Sequence, residues 1–152
     1  MIRPKYETDV NIQREEEVAK MISEAWSCLI SKPLPHRYVV DRAVSQNNEL
    51  KVWVEIKNST RKKDAFPEYT IASHKIAKGL ELAKATGVKF ILVVRFDSNN
   101  NSKDVYWIEC NEDMFKRIRW GGVLVERDSQ DQEPMVCILM SEFKKLTKRP
   151  NS

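Results

Sequence analysis

Glycine is scarce, four in 152 residues, and no glycine-rich run of the kind that cradles phosphate is present. Nucleotide-binding loops of the P-loop and dinucleotide types are thereby excluded. Histidine is scarcer still, only His36 and His74. Neither stands in an H-E-x-x-H helix, there is no G-x-S-x-G elbow, and His36 after Pro35 has no partner that would make it a nucleophile's base. The three cysteines, Cys28, Cys110 and Cys137, are odd in number, widely spaced and free of any C-x-x-C pairing. That pattern argues against a disulfide framework and a thiolate zinc site, and it fits a reducing compartment. Long apolar runs are missing as well. None approaches the roughly 20 residues of a spanning helix, and MIRPKYETDV lacks the apolar core of a signal peptide. The expectation is a soluble, cytoplasmic protein without a membrane partner.

What is present is an ordinary globular balance, 41% hydrophobic and 32% charged residues, in a length that suits one domain spanning 1–152. The net charge of +4 is unevenly spread. Arg61, Lys62 and Lys63 are consecutive, and Lys144, Lys145, Lys148 and Arg149 crowd the C-terminus, where a solvated face or frayed tail is the simple explanation. Acids gather at Glu15 to Glu17 and from Glu109 to Asp113.

Periodicity sets out the elements. Thr8 and Asp9 can cap a helix through NIQREEEVAKMISEAWSCLI, closed by KPLP. RYVVDRAV, the turn SQNNE and LKVWVEIK form a hairpin, with Val52, Val54 and Ile56 on one face and Trp53, Glu55 and Lys57 on the other. A polar loop, NSTRKKDAFPEY, leads to a helix over TIASHKIAKGLELAKAT with Gly87 as its C-terminal cap. VKFILVVRF is apolar throughout, as a central strand covered on both faces must be, and VYWIEC follows as a further strand. Beyond residue 110 the pattern predicts a short helix over NEDMFKRIR capped by Asn111, a GG turn, strands VLVE and EPMVCILM, and a last helical turn at SEFKKL. The fold class is α/β (α+β), a central mixed sheet flanked by helices, in the order α-β-β-α-β-β with a small β-rich C-terminal extension.

One constellation carries chemistry. Glu55 and Lys57 share a strand face, and Asp41, fourteen residues before Glu55, lies on the neighbouring hairpin strand. Two carboxylates that converge in a partly buried place repel each other, raising one pKa unless a divalent cation sits between them. A hard metal such as Mg²⁺ is held by just such a set with water and phosphate oxygens, and a lysine beside it can manage the attacking water and offset charge on phosphorus. An E-x-K triplet alone is common; its convergence with Asp41 is what gives it meaning.

Asp41 with Glu55-Ile56-Lys57 resembles the PD-(D/E)XK nuclease superfamily, of restriction-endonuclease-like fold, over about residues 9–109. Val40 stands where the family name has proline. The resemblance implies that Asp41, Glu55 and the backbone carbonyl of Ile56 hold Mg²⁺ or Mn²⁺, and that Lys57 serves the water. It also implies a first-helix glutamate, for which Glu15 with Val18, Ala19 and Ile22 matches. Glu15 lies about 60° from Val18 around the helix, whereas Glu16 points nearly opposite and Glu17 is the fallback. The acids of a first turn also favour the helix dipole, which accounts for all three without a site.

Further contacts follow. Lys75 flanks the inward stripe of the second helix and can meet phosphate, while His74 points away. Arg61, Lys62 and Lys63 can neutralise phosphates in the loop after Lys57. Phe66 and Tyr69 would stack on bases or anchor the loop, and anchoring is favoured. Asp128, Asp131 and Glu133 lack the spacing of a calcium loop and read as a polar turn. The function implied is a metal-dependent endonuclease acting on double-stranded or branched DNA, structure-selective or nicking, of phage or mobile-element type, with a homodimer as the resemblance's usual assembly. The rival is a catalytically silent binding module of the same fold.

Overall fold

A computed structural model describes residues 9–35, 40–122 and 132–147. The first helix, α1 (Asp9–Trp26), buries Val18, Ala19 and Ile22 as its spacing requires. It ends four residues earlier than the periodicity predicts. Ser27 turns left-handed at φ 49°, the Cys28 N–H donates to the Ser23 carbonyl at 3.2 Å, and the Ser23 hydroxyl donates to the Cys28 carbonyl at 2.8 Å. Those bonds satisfy the helix end and free Leu29–Ile30 to form a short strand, β1.

The hairpin of β2 (Arg42–Gln46) and β3 (Glu49–Asn58) turns on Asn47 and Asn48, at φ 54° and 62°. Two left-handed residues give the turn whose twist suits paired strands, and asparagine tolerates that conformation. β2 is shorter than the expected RYVVDRAV: Asp41 sits in a bend before it, and residues 36–39 lie outside the described residues. After the loop, EYTIA does not open the second helix but forms β4 (Glu68–Ala72), so α2 runs Ser73–Thr86. Gly87 caps α2 as expected, at φ 71° with its N–H on the Ala83 carbonyl at 2.8 Å.

β5 (Lys89–Arg95) is the central strand, parallel to β3 and antiparallel to β6 (Val105–Glu109). Residues 111–122 and 132–147 depart more from expectation. Asn111 precedes a 3₁₀ turn, Glu112–Lys116, without a side-chain cap bond. The GG pair ends a strand, β7 (Ile118–Gly122), instead of making a turn, and VLVE lies outside the described residues. β8 (Gln132–Leu139) pairs with both β4 and β7. SEFKKL gives a 3₁₀ turn, Met140–Glu142, and then β9 (Lys144–Lys145) on the edge of β6. Among the described residues two sheets result, β1-β2-β3-β5-β6-β9 and β4-β8-β7.

The C-terminal third is therefore woven into the core, because Met114, Val136, Ile138, Met140 and Phe143 pack with Ile76, Phe90 and Leu92. On the opposite face of the large sheet, Val18, Ala19 and Ile22 of α1 meet Val44, Val54, Ile56, Ile91 and Val93. This division places the site: Val54 and Ile56 look toward α1, so Glu55 and Lys57 look toward α2. No helix among the described residues is long and apolar enough to cross a membrane.

The seat of α2 on β5 is tight at Gly79, where an added Cβ would overlap the Phe90 ring. Gly79→Ala should therefore destabilise the protein by about 1–3 kcal/mol, the cost of overpacking, although alanine is the better helix former. Urea unfolding of the two proteins checks it.

Candidate active site

Where β2 ends, Asp41 takes over its role at the edge of β3. The Asp41 N–H donates to the Val54 carbonyl at 3.1 Å, and Asp41 Oδ2 accepts from the Ile56 N–H at 2.8 Å. A carboxylate thus completes a bond that a strand carbonyl would otherwise make. Because the N–H and C=O of one strand residue point to the same edge, the Ile56 carbonyl is turned toward Asp41 as well. Glu55 is almost completely enclosed, 3% exposed, and its Oε2 lies 3.5 Å from Lys57 Nζ.

Electrostatics follow from that enclosure. Burial, then the charge of Asp41, pushes Glu55 up from 4.5 to about 7, against the pull of Lys57 and Lys75. Asp41 is also raised by burial, opposed by the Ile56 N–H and by Lys57, Lys75 and Arg42. Lys75, in the first turn of α2, therefore lies within electrostatic reach of both carboxylates, as its position beside the inward stripe predicts. His74 points away, its Nδ1 3.6 Å from Glu133 Oε2. Of the polar turn read at Asp128, Asp131 and Glu133, the first two lie outside the described residues and Glu133 belongs to β8.

Glu15, the first-helix glutamate of the resemblance, meets Arg42. Its Oε1 lies 3.2 Å from Arg42 Nε, with Glu16 Oε2 2.9 Å from Arg42 Nη2. Arg42 is 1% exposed on the α1 side of the sheet, and a guanidinium so enclosed needs counter-charge. Among the described residues no group of three or more His, Cys, Asp or Glu is positioned to hold a metal. Glu17 is likewise engaged, 2.8 Å from Nη1 of buried Arg95, whose Nε donates to Asn58 Oδ1 at 2.9 Å. Sequence reasoning missed both arginines. The signal was there: each occupies an inward position of its strand, facing a helix that carries three consecutive glutamates.

The basic loop divides. Arg61 turns inward, donating from Nη2 to the Glu68 carbonyl at 2.9 Å, with its guanidinium 5.3, 5.4 and 5.7 Å from the ring centres of Phe66, Tyr69 and Phe96. It fastens the loop. Tyr69 anchors too, edge-on to Phe96 and Phe143, while Phe66 remains exposed. Lys62 is exposed and Lys63 Nζ stands 4.6 Å from the Tyr106 ring centre.

The raised Glu55 makes a pH prediction. Its folded-state pKa lies above the unfolded one, so the fold binds the extra proton between about 4.5 and 7 and is stabilised by it at low pH. That stability is lost as pH rises through about 7, by up to about 3 kcal/mol. With EDTA present, the melting temperature of the wild type should fall between pH 5 and 8, and Glu55→Gln should remove most of that fall; parallel curves would refute the buried acid.

No curated protein sequence matches the chain. Among solved structures, the chain is similar to Hjc from Archaeoglobus fulgidus, a Holliday junction resolvase from an archaeal hyperthermophile, at a TM-score of 0.51 and 9% identity, covering 84% of this chain and 88% of that one. At that identity the likeness speaks for the fold, which is the restriction-endonuclease-like one. A family profile spans residues 1–146, and within that span lie the buried pair and its lysine. By that match this chain belongs to the family described as "Phage putative PDDEXK endonuclease", nucleases of the PD-(D/E)XK type.

Proposed function

We propose that this nuclease is an endonuclease that hydrolyses DNA phosphodiester bonds with Mg²⁺ or Mn²⁺ held by Asp41, Glu55 and the backbone carbonyl of Ile56. The observation that carries the reading is Glu55, enclosed beside a second carboxylate and pushed up to about 7. Such a group takes a proton or a cation near neutrality, and two carboxylates with a carbonyl are the hard oxygen donors those ions prefer. With no third acid in the cluster among the described residues, water and phosphate oxygens complete the set, the arrangement Mg²⁺ commonly keeps. When bound, the cation supplies Lewis acidity to a phosphoryl oxygen and acidifies water.

The chain's own residues do the rest. Lys57, with Nζ 3.5 Å from Glu55 Oε2, orients the attacking water and offsets charge gathering on phosphorus. Lys75 holds a neighbouring phosphate oxygen. Lys62 and Lys63 extend the contact along the backbone, and Arg61 contributes by fixing their loop. Glu15 acts at one remove, through Arg42, which leads into Asp41. The likeness to a Holliday junction resolvase favours branched DNA, cut by a homodimer whose two sites face two strands, over sequence-specific cutting. A cytoplasmic location accords with the free cysteines Cys28, Cys110 and Cys137.

Incubation with supercoiled, linear and branched DNA in Mg²⁺ or Mn²⁺ tests the reading. Cleavage should vanish with EDTA, and Lys57→Ala should cut about 10²–10⁴-fold more slowly, the range of a lost acid–base group, while binding DNA with unchanged affinity. If wild type binds but never cuts, the enzymatic reading fails; undiminished cutting by Lys57→Ala would reject the role given to the lysine. Lys75→Ala should weaken DNA binding and lower its salt slope by about 0.9, one phosphate contact's worth on duplex DNA.

A further inference from the structure

A second basic feature lies on the other face of the large sheet. β9 sets Lys144 and Lys145 beside Trp107 and Tyr106, and past the end of α1 a groove of about 580 Å³ opens with Trp26, Trp107, Val52 and Ile91 in its walls. Its rim carries Lys51, Lys89, Lys144 and Lys145 against one acid, Glu109, an excess of three positive charges (4 − 1) among the lining residues. Lys89 is paired with Glu109 at 3.1 Å and Lys51 with Glu49 at 2.9 Å, which leaves Lys144 and Lys145 to face the groove's occupant. Trp26 and Trp107 meet edge to face with ring centres 5.5 Å apart, and Lys144 Nζ stands 5.2 Å from the Trp107 ring centre.

Those walls and that rim select a ligand by exclusion. Indole and aliphatic walls offer nothing to a bare inorganic anion, and a lysine rim offers nothing to a neutral apolar molecule. An unpaired nucleotide has both a π-face and a phosphate, and aromatic side chains in a cationic groove are the usual means of holding it. Duplex DNA keeps its bases stacked on one another, out of reach of such walls. The volume lies within the range of ordinary ligand pockets. Lys144 already covers the indole, where a base would displace its ammonium onto the adjoining phosphate.

The geometry points to this groove as a second nucleic-acid site that holds unpaired nucleotides, bases against Trp26 and Trp107, phosphates on Lys144 and Lys145. It is separate from the cleavage site. Val52, Ile91 and Trp107 belong to the α1 side, whereas Glu55 lies on the side of Leu92 and Ile108, and β9 stands three strand spacings, about 14 Å, from β3. A different segment of the substrate occupies it. The inference rests on the nuclease reading only in taking nucleic acid as the polyanion.

The test is binding of a fluorescent oligothymidylate to full-length Asp41→Asn protein in EDTA, where no cutting can intervene. Lys144→Gln with Lys145→Gln should weaken single-strand binding at low salt and reduce the slope of log affinity against log salt by about 1.4, two single-strand phosphate contacts, and should leave the affinity for a duplex of equal length, which falls to the cleavage face, unchanged. Thr147→Leu, which adds aliphatic bulk to the groove lining without altering charge or offering a ring to stack on, should weaken single-strand binding and leave the slope unchanged. Circular dichroism and melting temperature confirm folding, and Thr147→Leu keeps the question decidable should the double variant unfold. An unaltered double variant, a double variant that loses duplex and single-strand binding alike, or an unaltered Thr147→Leu would each overturn the proposal. Plasmid cleavage by the wild type in Mg²⁺ is scored apart, so its absence would count against the nuclease mechanism and not against the groove.

Discussion

One hydrogen bond organises the active centre: Asp41 Oδ2 on the Ile56 N–H, 2.8 Å. It forms because β2 stops at Arg42 while β3 continues, leaving an edge amide that must be satisfied. An ordinary strand residue there would supply a carbonyl and no charge. A carboxylate supplies the acceptor and a negative charge together, next to a glutamate that already projects into the protein from the same strand. The electrostatic tension between Asp41 and Glu55, and the usefulness of Lys57 and Lys75 in relieving it, follow from that substitution.

Around this centre the protein commits unusual resources to holding the end of the sheet still. Arg42 and Arg95, both 1% exposed, lie on the α1 side and tie β2 and β5 to Glu15, Glu16 and Glu17. Arg95 also reaches Asn58, the residue after Lys57. Buried ion pairs contribute little net stability, since desolvation offsets attraction, but removing one partner is costly. Their consequence here is positional. The strand ends that bear Asp41 and Lys57 are clamped from behind, on the face away from Glu55 and Lys57, and the small β4-β8-β7 sheet backs α2 from the other side.

The strands and helices that show periodicity were legible without coordinates, and so was the convergence of Asp41, Glu55 and Lys57. Alternation in VWVEIK placed Glu55 opposite Val54 and Ile56, and the unbroken VKFILVVRF announced a strand covered on both faces. The errors share a cause. EYTIA carries no local mark separating a strand from a helix start, and only its pairing with β8, more than sixty residues later, makes it β4. GG and KK carry the local marks of a turn and the end of a helix, and pairing with β8 and with β6 draws them into β7 and β9. Helical phase gives Glu15 its inward direction, and only the fold shows that Arg42 lies on that side. Charge alone does not show that the Arg61 guanidinium lies among the rings of Phe66, Tyr69 and Phe96.

By itself the sequence determined which residues face inward along each strand and helix, because periods of 2 and 3.6 are properties of the local chain. It thereby settled which acids and lysine share a surface. Tertiary structure alone decided what each buried charge meets: that burial and Asp41 push Glu55 up to about 7, that the helix glutamates serve arginines, and that a lysine pair at the C-terminus rims a groove with two tryptophans. The reason is that desolvation and Coulomb attraction depend on distance in space, and the neighbours that set them come from chain segments far apart in sequence.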